Sequence, residues 1–370
     1  MKSLHDLRFR FDPHFGANGC APWFERETMR ILSRRRFVGL SAASAATLAL
    51  VPLAGCASLG SSSASTASTD AASSSEKPSD QGASSSSSDV RAVFVMMSDT
   101  HVDIENERNI DHFTRALADL ASFERRPDAV IVGGDITASG LPEQYDTVRE
   151  LAEAAGFDYE REFVFALGNH DQGDMESTDD AVFAAYRDLF VRKTGSERVY
   201  YDRAISGQHL IVLGPDDQEG IGWIAFNFSD EQLAWLDGLL AADAAAGVPS
   251  FVVMHEPLSN TVRGSLEGQF AHDALHDDAA LRSIIDRYPQ TVFLSGHSHA
   301  HPDIQQLVAG GPLFVNDGAV ATGQRTPGER DYTGAFGWLV SVYDDRIEFS
   351  LRDFLERQWI EESHYVHDLP

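Results

Sequence analysis

The chain is 370 residues long, enough for one large α/β unit with flanking segments, and its 57 acidic against 29 basic residues leave a formal net charge of −28. So acidic a surface repels the phosphate backbone of nucleic acid and argues against a polymeric nucleic-acid partner. The only cysteines, Cys20 and Cys56, both lie in the first sixth of the sequence, which excludes a disulfide framework and leaves the fold to its apolar core.

In chain order, Ser33, Arg34, Arg35, Arg36 and Phe37 open an uncharged, small-residue-rich apolar run that reaches Cys56. This is the pattern of an export signal. The adjacent arginines before Phe37 resemble the twin-arginine type, and Leu53, Ala54, Gly55 and Cys56 resemble a bacterial lipobox. There the cysteine would carry the lipid and become the mature N-terminus, placing the protein on the extracytoplasmic face of the cell membrane. An uncleaved membrane helix is the alternative, because the run is nearly long enough to span a bilayer. The 28 residues before Met29 fit no signal peptide, so Met29 is a second candidate start. In residues 57–88, 15 of 32 positions are serine and the only large apolar residue is Leu59. Such a stretch cannot bury a core and reads as a flexible tether. Beyond Cys56 the chain carries 21 basic against 53 acidic residues. The expected organisation is an N-terminal extension with export signal and lipobox over 1–56, a Ser-rich linker over 57–89 and a single catalytic domain over 90–370.

From there, short apolar runs alternate with helical patterns. Residues 92–97, 129–132, 162–166, 251–254 and 291–294 are rich in Val, Ile and Phe and read as buried strands. Residues 111–123, 141–155 and 179–191 show apolar spacings of three and four, as helices do. Ser229 followed by Gln232 gives a capping-box signature ahead of Leu233, Leu236 and Leu240. Further strands are expected at 198–201, 209–213 and 312–315, with a hairpin over 336–343 and 346–353 turned at Asp344 and Asp345.

Each of the five apolar runs leads into a donor. Asp99 and His101 lie in SDTH, Asp135 in GGD, Asn169, His170 and Asp171 in GNHD, His255 in MHE, and His297 and His299 in GHSH. In helix-covered sheets, ligands gather outside the carboxyl ends of the strands, so donors two hundred residues apart can meet in one cleft. In both DTH and HSH the donors are two residues apart, and an extended two-residue step returns side chains to one face. Gly133, Gly134, Gly168 and Gly296 precede the donors, where close approach of backbone to ligand favours glycine. Taken singly, each block fits a turn, a loop carboxylate or a hydrogen-bonded core histidine equally well. Together they make an ordered set of oxygen and nitrogen donors suited to two metals.

The order DxH, GD, GNH[DE], H, GHxH resembles the calcineurin-like metallophosphoesterase superfamily over roughly residues 90–354. The GNHD block, and a GD with no arginine cluster after it, resemble its small-molecule phosphodiesterase branch rather than the protein phosphatases. The resemblance implies an α/β fold, a four-layer αββα sandwich of two mixed sheets flanked by helices, with a dinuclear metal site at the strand carboxyl ends. It implies that Asp99, His101, Asp135 and His299 hold one metal, that Asp135, Asn169, His255 and His297 hold the other, and that Asp135 bridges. His170 would act as general acid or charge stabiliser, with Asp171 orienting its ring.

A donor set of Asp, Asn and His without thiolate suits two divalent transition metals, Mn, Fe or Zn, and disfavours calcium, which prefers all-oxygen shells. The implied activity is metal-dependent hydrolysis of a phosphodiester or phosphomonoester of modest size. The other reading is a surface lipoprotein of the same fold, catalytically weak, that binds a phosphorylated ligand or partner. Loops 172–180, 257–280 and 317–334 would surround the cleft and carry Arg263, Arg325 and Arg330, each suited equally to phosphate contact or to a structural ion pair. His301, before Pro302, reads as a solvated loop residue, and His272 and His276 lie in a polar insertion.

Overall fold

The structure is a computed structural model that describes residues 89–173, 177–217, 226–269 and 278–369. The export signal, the lipobox, the serine-rich linker, His272 and His276 therefore lie outside the described residues.

In the first strand, β1 (Ala92–Met97), Phe94 and Met96 point into one apolar cluster while Val95 and Met97 point into another. A strand buried on both faces belongs inside a sheet with cover on each side. The order continues α1 (Glu107–Ala121), β2 (Ala129–Val132), α2 (Pro142–Ala154), the single turn α3 (Tyr159–Glu162), β3 (Phe163–Phe165), α4 (Asp180–Thr194), β4 (Tyr201–Ile205) and β5 (Gln208–Val212). Then come α5 (Asp230–Ala246), β6 (Ser250–Val253), α6 (Asp278–Ile285), β7 (Thr291–Ser295), β8 (Asp303–Gln305), β9 (Leu313–Asn316), β10 (Phe336–Val342), β11 (Arg346–Asp353) and β12 (Gln358–Asp368).

These strands form two six-stranded sheets, ordered β12-β11-β10-β1-β2-β3 and β4-β5-β6-β7-β9-β8. Both are mixed. β1, β2 and β3 run parallel, and so do β5, β6, β7 and β9, while β10 to β12, β4 and β8 pair antiparallel. Phe94, Met96, Ile131 and Val164 of the first sheet share an apolar layer with Phe251, Val253, Val292 and Leu294 of the second. Phe113 and Leu117 of α1 with Tyr145 and Val148 of α2 cover the outer face of the first sheet, and Leu236 and Leu240 of α5 with Leu281 and Ile285 of α6 cover the second. This is the expected αββα sandwich. Each fully buried Phe, Leu, Ile or Val contributes about 1.5–3 kcal/mol.

Several boundaries move for local reasons. Helix α1 starts four residues earlier than the apolar spacing suggests because the Asn106 side chain accepts the Asn109 amide and caps it. Strand pairing over 198–201 is displaced to Tyr201–Ile205, since Val199 and Tyr200 pack into the core from the bend before β4. Ser229 caps α5 as expected, accepting from the Gln232 amide at 3.1 Å, but the box is half formed. The Gln232 side chain turns instead to the Gly214 carbonyl and the Asp216 carboxylate, both at 2.8 Å. α3, α6, β8 and β12 are additions to the expected elements.

Candidate metal centre

The carboxyl ends of β1, β2 and β3 in one sheet and β6 and β7 in the other open into the same loops. Beyond β1 and β2 the backbones stay stitched. Asp99 N donates to Gly134 O at 3.0 Å, His101 N to Asp135 O at 2.9 Å, and Val102 N to Ile136 O at 3.1 Å. The sheets are joined at the same level, where His255 Nδ1 meets Gly133 O at 2.8 Å and His297 N donates to Asp99 Oδ2 at 2.9 Å. Gly134 permits this approach. Its φ is +96°, and a Cβ built on it would fall 2.4 Å from His255 Nδ1.

All seven expected ligands meet here. His299 Nε2 lies 3.1 Å from Asp99 Oδ1 and 3.1 Å from His101 Nε2. Asn169 Oδ1 lies 3.2 Å from His255 Nε2 and 3.0 Å from His297 Nδ1. Between the two sets sits one oxygen, Asp135 Oδ2, 3.5 Å from His101 Nε2 and 3.3 Å from His255 Nε2. Asp99, Asp135, His255 and His297 are buried, while His101, His170 and His299 retain partial exposure toward the cleft. Donor atoms within 4.8 Å of one another form three overlapping groups: Asp99, His101 and His299; His101, Asp135 and His170; and Asp135, His255 and His297.

These residues fit a pair of cations. Asp99 Oδ1 is buried without a hydrogen bond. Imidazole nitrogens face each other at 3.1 Å across His101 and His299 and at 3.3 Å across His255 and His297, where lone pairs would repel unless a proton or cation sat between them. Burial pushes His101 and His297 down to about 3, so both are neutral donors near neutral pH. Burial opposes charge on His255 and His299 too, but the Asp135 and Asp99 carboxylates beside them win and raise both. The same pairs, against the cost of burial, hold Asp99 down to about 2 and Asp135 well below the carboxylate range.

Two expectations change. The two-residue step within DTH and HSH is not extended backbone: φ is +51° at Asp99, +40° at His101, +66° at His297 and +51° at His299, with +48° at Asp135. The donors converge through left-handed turns. Asp171 does not orient the His170 ring. Its oxygens accept from Ile136 N at 3.1 Å, Thr137 N at 2.9 Å, Thr137 Oγ1 at 2.8 Å and Gly168 N at 3.0 Å, so it ties the GNHD loop to the loop after β2. The His170 Nδ1 partner is the Ala138 carbonyl, at 3.0 Å.

Two of the candidate arginines are structural. Arg325 pairs with buried Asp353 at 2.6 Å, and Arg263 Nη1 lies against the His301 and Pro302 carbonyls at 3.3 and 3.5 Å. His301 is partly buried, with its ring 6.2 Å from Phe336.

Sequence reading missed the layer behind the ligands. Asn316 Nδ2 donates to Gly296 O at 2.7 Å, the Thr322 carbonyl lies 3.1 Å from His299 Nδ1, and buried Asp317 reaches Ser98. No spacing rule marks Asn316, Asp317 and Thr322, because they lie at and beyond the end of β9, outside the donor blocks.

Comparison with known proteins agrees with this geometry. The family model described as calcineurin-like phosphoesterase matches residues 92–301. A probable cyclic nucleotide phosphodiesterase of Rhodococcus erythropolis is 27% identical over 271 residues, covering 70% of this chain and 82% of that protein. The glycerophosphodiester phosphodiesterase GpdQ of Enterobacter lignolyticus is 27% identical over 220 residues, covering 55% of this chain and 69% of that protein. A dimetal phosphatase from Danio rerio shares the fold, with a TM-score of 0.55 at 16% identity, covering 76% of this chain and 100% of that one.

Proposed function

Given that the chain belongs to the calcineurin-like phosphoesterase family and is a metal-dependent phosphoric ester hydrolase, we propose that it acts on small phosphodiesters. The observation that carries the metal assignment is the single oxygen Asp135 Oδ2 poised between His101 and His255. Asp99, His101 and His299 would hold one cation, Asn169, His255 and His297 the other, and Asp135 both. When bound, the pair supplies acidity to an attacking water and neutralises charge growing on the phosphoryl oxygens. Mn, Fe and Zn all suit the donor set.

His170 stands where a leaving oxygen would need a proton. Its ring lies edge-on to His101 at 4.6 Å, and its amide donates to Asp135 Oδ1 at 2.8 Å, fixing its place beside the bridge. With Nδ1 turned to the Ala138 carbonyl, Nε2 is the atom at which a proton is gained and given up. The preference for a diester is supported by the phosphodiesterase relatives in two substrate classes, cyclic nucleotides and glycerophosphodiesters.

The test is hydrolysis of bis-p-nitrophenyl phosphate and of p-nitrophenyl phosphate by the full chain with Mn²⁺ added. We expect turnover of both, faster on the diester. A faster monoester rate overturns the diester assignment, and inactivity on both overturns the metal assignment.

We further propose that residues 1–56 export the enzyme as a twin-arginine lipoprotein, that 57–89 tether it and that 90–370 form the catalytic unit. The lipobox-like Leu53–Cys56 and the serine-rich composition after it support this reading. Mass spectrometry of the native N-terminus should find a diacylglyceryl Cys56, and an intact Arg34 there would refute it.

A further inference from the structure

Behind the metal centre runs a strap, Asn316 to Thr322, that touches both ligand loops. Asp317 N donates to Ser295 O at 3.1 Å, Val320 N to Ser98 O at 3.1 Å, and Ala321 N to Asp99 O at 2.9 Å. Inside it lies Asp317, a carboxyl group with no solvent exposure. Its Oδ1 is 2.7 Å from Ser98 Oγ, and its Oδ2 has no hydrogen-bond partner among the described residues. No described cation pairs with it. Ser98 Oγ is at the same time in hydrogen-bond contact with Asp99 Oδ2.

One hydroxyl now stands between two carboxyl groups, and a serine hydroxyl has a single proton to donate. Two such contacts need a second proton, and it belongs on Asp317, whose Oδ2 has no partner, and not on Asp99, whose Oδ1 lies 3.1 Å from His299 Nε2, since a buried unpaired carboxylate is costly whereas the neutral acid is tolerated. Burial, with the Asp99 charge adding to it and against the smaller pulls of the Ser98 hydrogen bond and the His255 charge, holds the Asp317 carboxyl well above its usual range. The chain of donors therefore runs one way, from Asp317 O–H to Ser98 Oγ and from Ser98 O–H to Asp99 Oδ2. With His297 N also donating to Asp99 Oδ2 at 2.9 Å, that oxygen is pinned from two sides. The other, Oδ1, is left aimed at His299 Nε2, 3.1 Å away, and His101 Nε2, 3.8 Å away.

We propose that Asp317 is a positioning residue which, by donating to Ser98, commits the serine proton to Asp99 and so aims Asp99 Oδ1 at the cation shared with His101 and His299. The inference rests on the dinuclear reading of the site. It assigns Asp317 to one of the two cation positions and not the other, because no donor of the His255, Asn169 and His297 set receives a hydrogen bond from Ser98 or Asp317 among the described residues.

The experiment is Mn²⁺ binding to the full chain by calorimetry, with the Mn(II) paramagnetic resonance spectrum recorded alongside, for the wild type and for Asp317→Ala, Asp317→Asn and Ser98→Ala. Wild type should bind two ions and show a spin-coupled signal. Asp317→Ala and Ser98→Ala should each weaken one site by about 10- to 100-fold, the cost typical of losing a partner behind a ligand, so that the signal becomes mononuclear at Mn²⁺ concentrations that fill both wild-type sites. Asp317→Asn should restore the coupled signal, because its amide N–H donates to Ser98 Oγ in place of the acid. If Asp317→Ala does not fold, Ser98→Ala and Asp317→Asn decide. Two wild-type-like sites in Ser98→Ala, or an Asn variant that loses the coupled signal, overturn the proposal. A wild-type chain that binds fewer than two ions overturns the dinuclear reading itself, and does so before any variant is compared.

Discussion

Gly168 is the point at which the smallest change should do the most harm. A Cβ built there would lie 2.1 Å from Asp135 N, 2.2 Å from Asp135 Oδ1 and 2.9 Å from Asp135 Cα. Ordinary contact begins near 3.5 Å, so Gly168→Ala must part the two loops by about 1 Å. The obstacle is backbone and a short carboxylate, not the free end of a flexible chain. Two hydrogen bonds resist the parting, His170 N to Asp135 Oδ1 at 2.8 Å and Thr137 N to Asp171 Oδ1 at 2.9 Å. Forcing a methyl into such a site costs about 1–3 kcal/mol of stability, and displacement of the Asp135 carboxylate by an ångström is worth about 100-fold in turnover. Stability loss alone does not make the case, so Gly195→Ala serves as the matched control. Gly195 ends α4 with φ +74° and open space around its Cβ, and alanine there costs about 1 kcal/mol through backbone strain alone. Thermal unfolding, bound manganese and bis-p-nitrophenyl phosphate turnover are measured on both. Gly168→Ala should lose metal and rate, and Gly195→Ala should lose only stability. Full metal content with a rate within twofold of wild type in Gly168→Ala would refute the reasoning.

Asp135→Ala removes the oxygen shared by both donor sets, so bound metal and activity should vanish together; a variant that retains both ions by elemental analysis shows that Asp135 does not bridge. His170→Ala should keep its metal and slow turnover by about 10²- to 10⁴-fold, the range for a lost proton-transfer group, whereas loss of metal would make His170 a ligand. Metal uptake should release protons in a number set by the site. At pH 5.5, His255 and His299, raised by their carboxylates against the opposing effect of burial, are protonated, while His101 and His297, at about 3, are not. Calorimetry in buffers of different ionisation enthalpy should therefore count about two protons for two ions, where four ordinary imidazoles would give between three and four.

The donor blocks were legible because the sheet imposes them. An apolar run buried on both faces has to end at the sheet margin, and a polar residue just beyond it has to find a partner there. Asp99, Asp135, Asn169, His255, His297 and His299 all follow that rule. β12 was not legible, since the sheet buries only part of this strand and its sequence, with Glu361, Glu362, His364, His367 and Asp368, lacks the apolar signature of an inner strand. The role of Asp171 was misread for a different reason. Adjacency to His170 suggested a partner, but a residue at the start of a 3₁₀ turn projects away from its neighbour, and four donors from the loops after β2 and β3 claim its carboxylate. That carboxyl is nevertheless pushed up to about 6 by burial and by Asp135, with the backbone N–H groups opposing. Asp317 was invisible in principle, because its partner lies 219 residues away and nothing in either segment names the other.

The left-handed turns explain why the centre depends so heavily on its surroundings. Among the described residues, nine non-glycine positions have positive φ, and five of them are Asp99, His101, Asp135, His297 and His299. Each such residue costs of order 1–3 kcal/mol and persists only where neighbouring structure over-determines it. Those neighbours can be named. Asp99 and His101 are held by Gly134 and Asp135 carbonyls, His299 by Thr322, His297 by the Asp99 carboxylate, and Asp135 by the His170 amide. Most of these restraints are backbone groups, which do not depend on protonation state. The sheets thus impose a costly arrangement of donors that an isolated loop would not adopt, and the cations return part of that cost by binding donors already convergent. Most of these restraints run from one donor block to another, and those from outside come from one segment, Thr322 on His299 with the Val320 and Ala321 amides on the Ser98 and Asp99 carbonyls. A chain that kept every donor but lost the strap from Asn316 to Thr322 would keep the family pattern and lose the means of holding Asp99 and His299 in place.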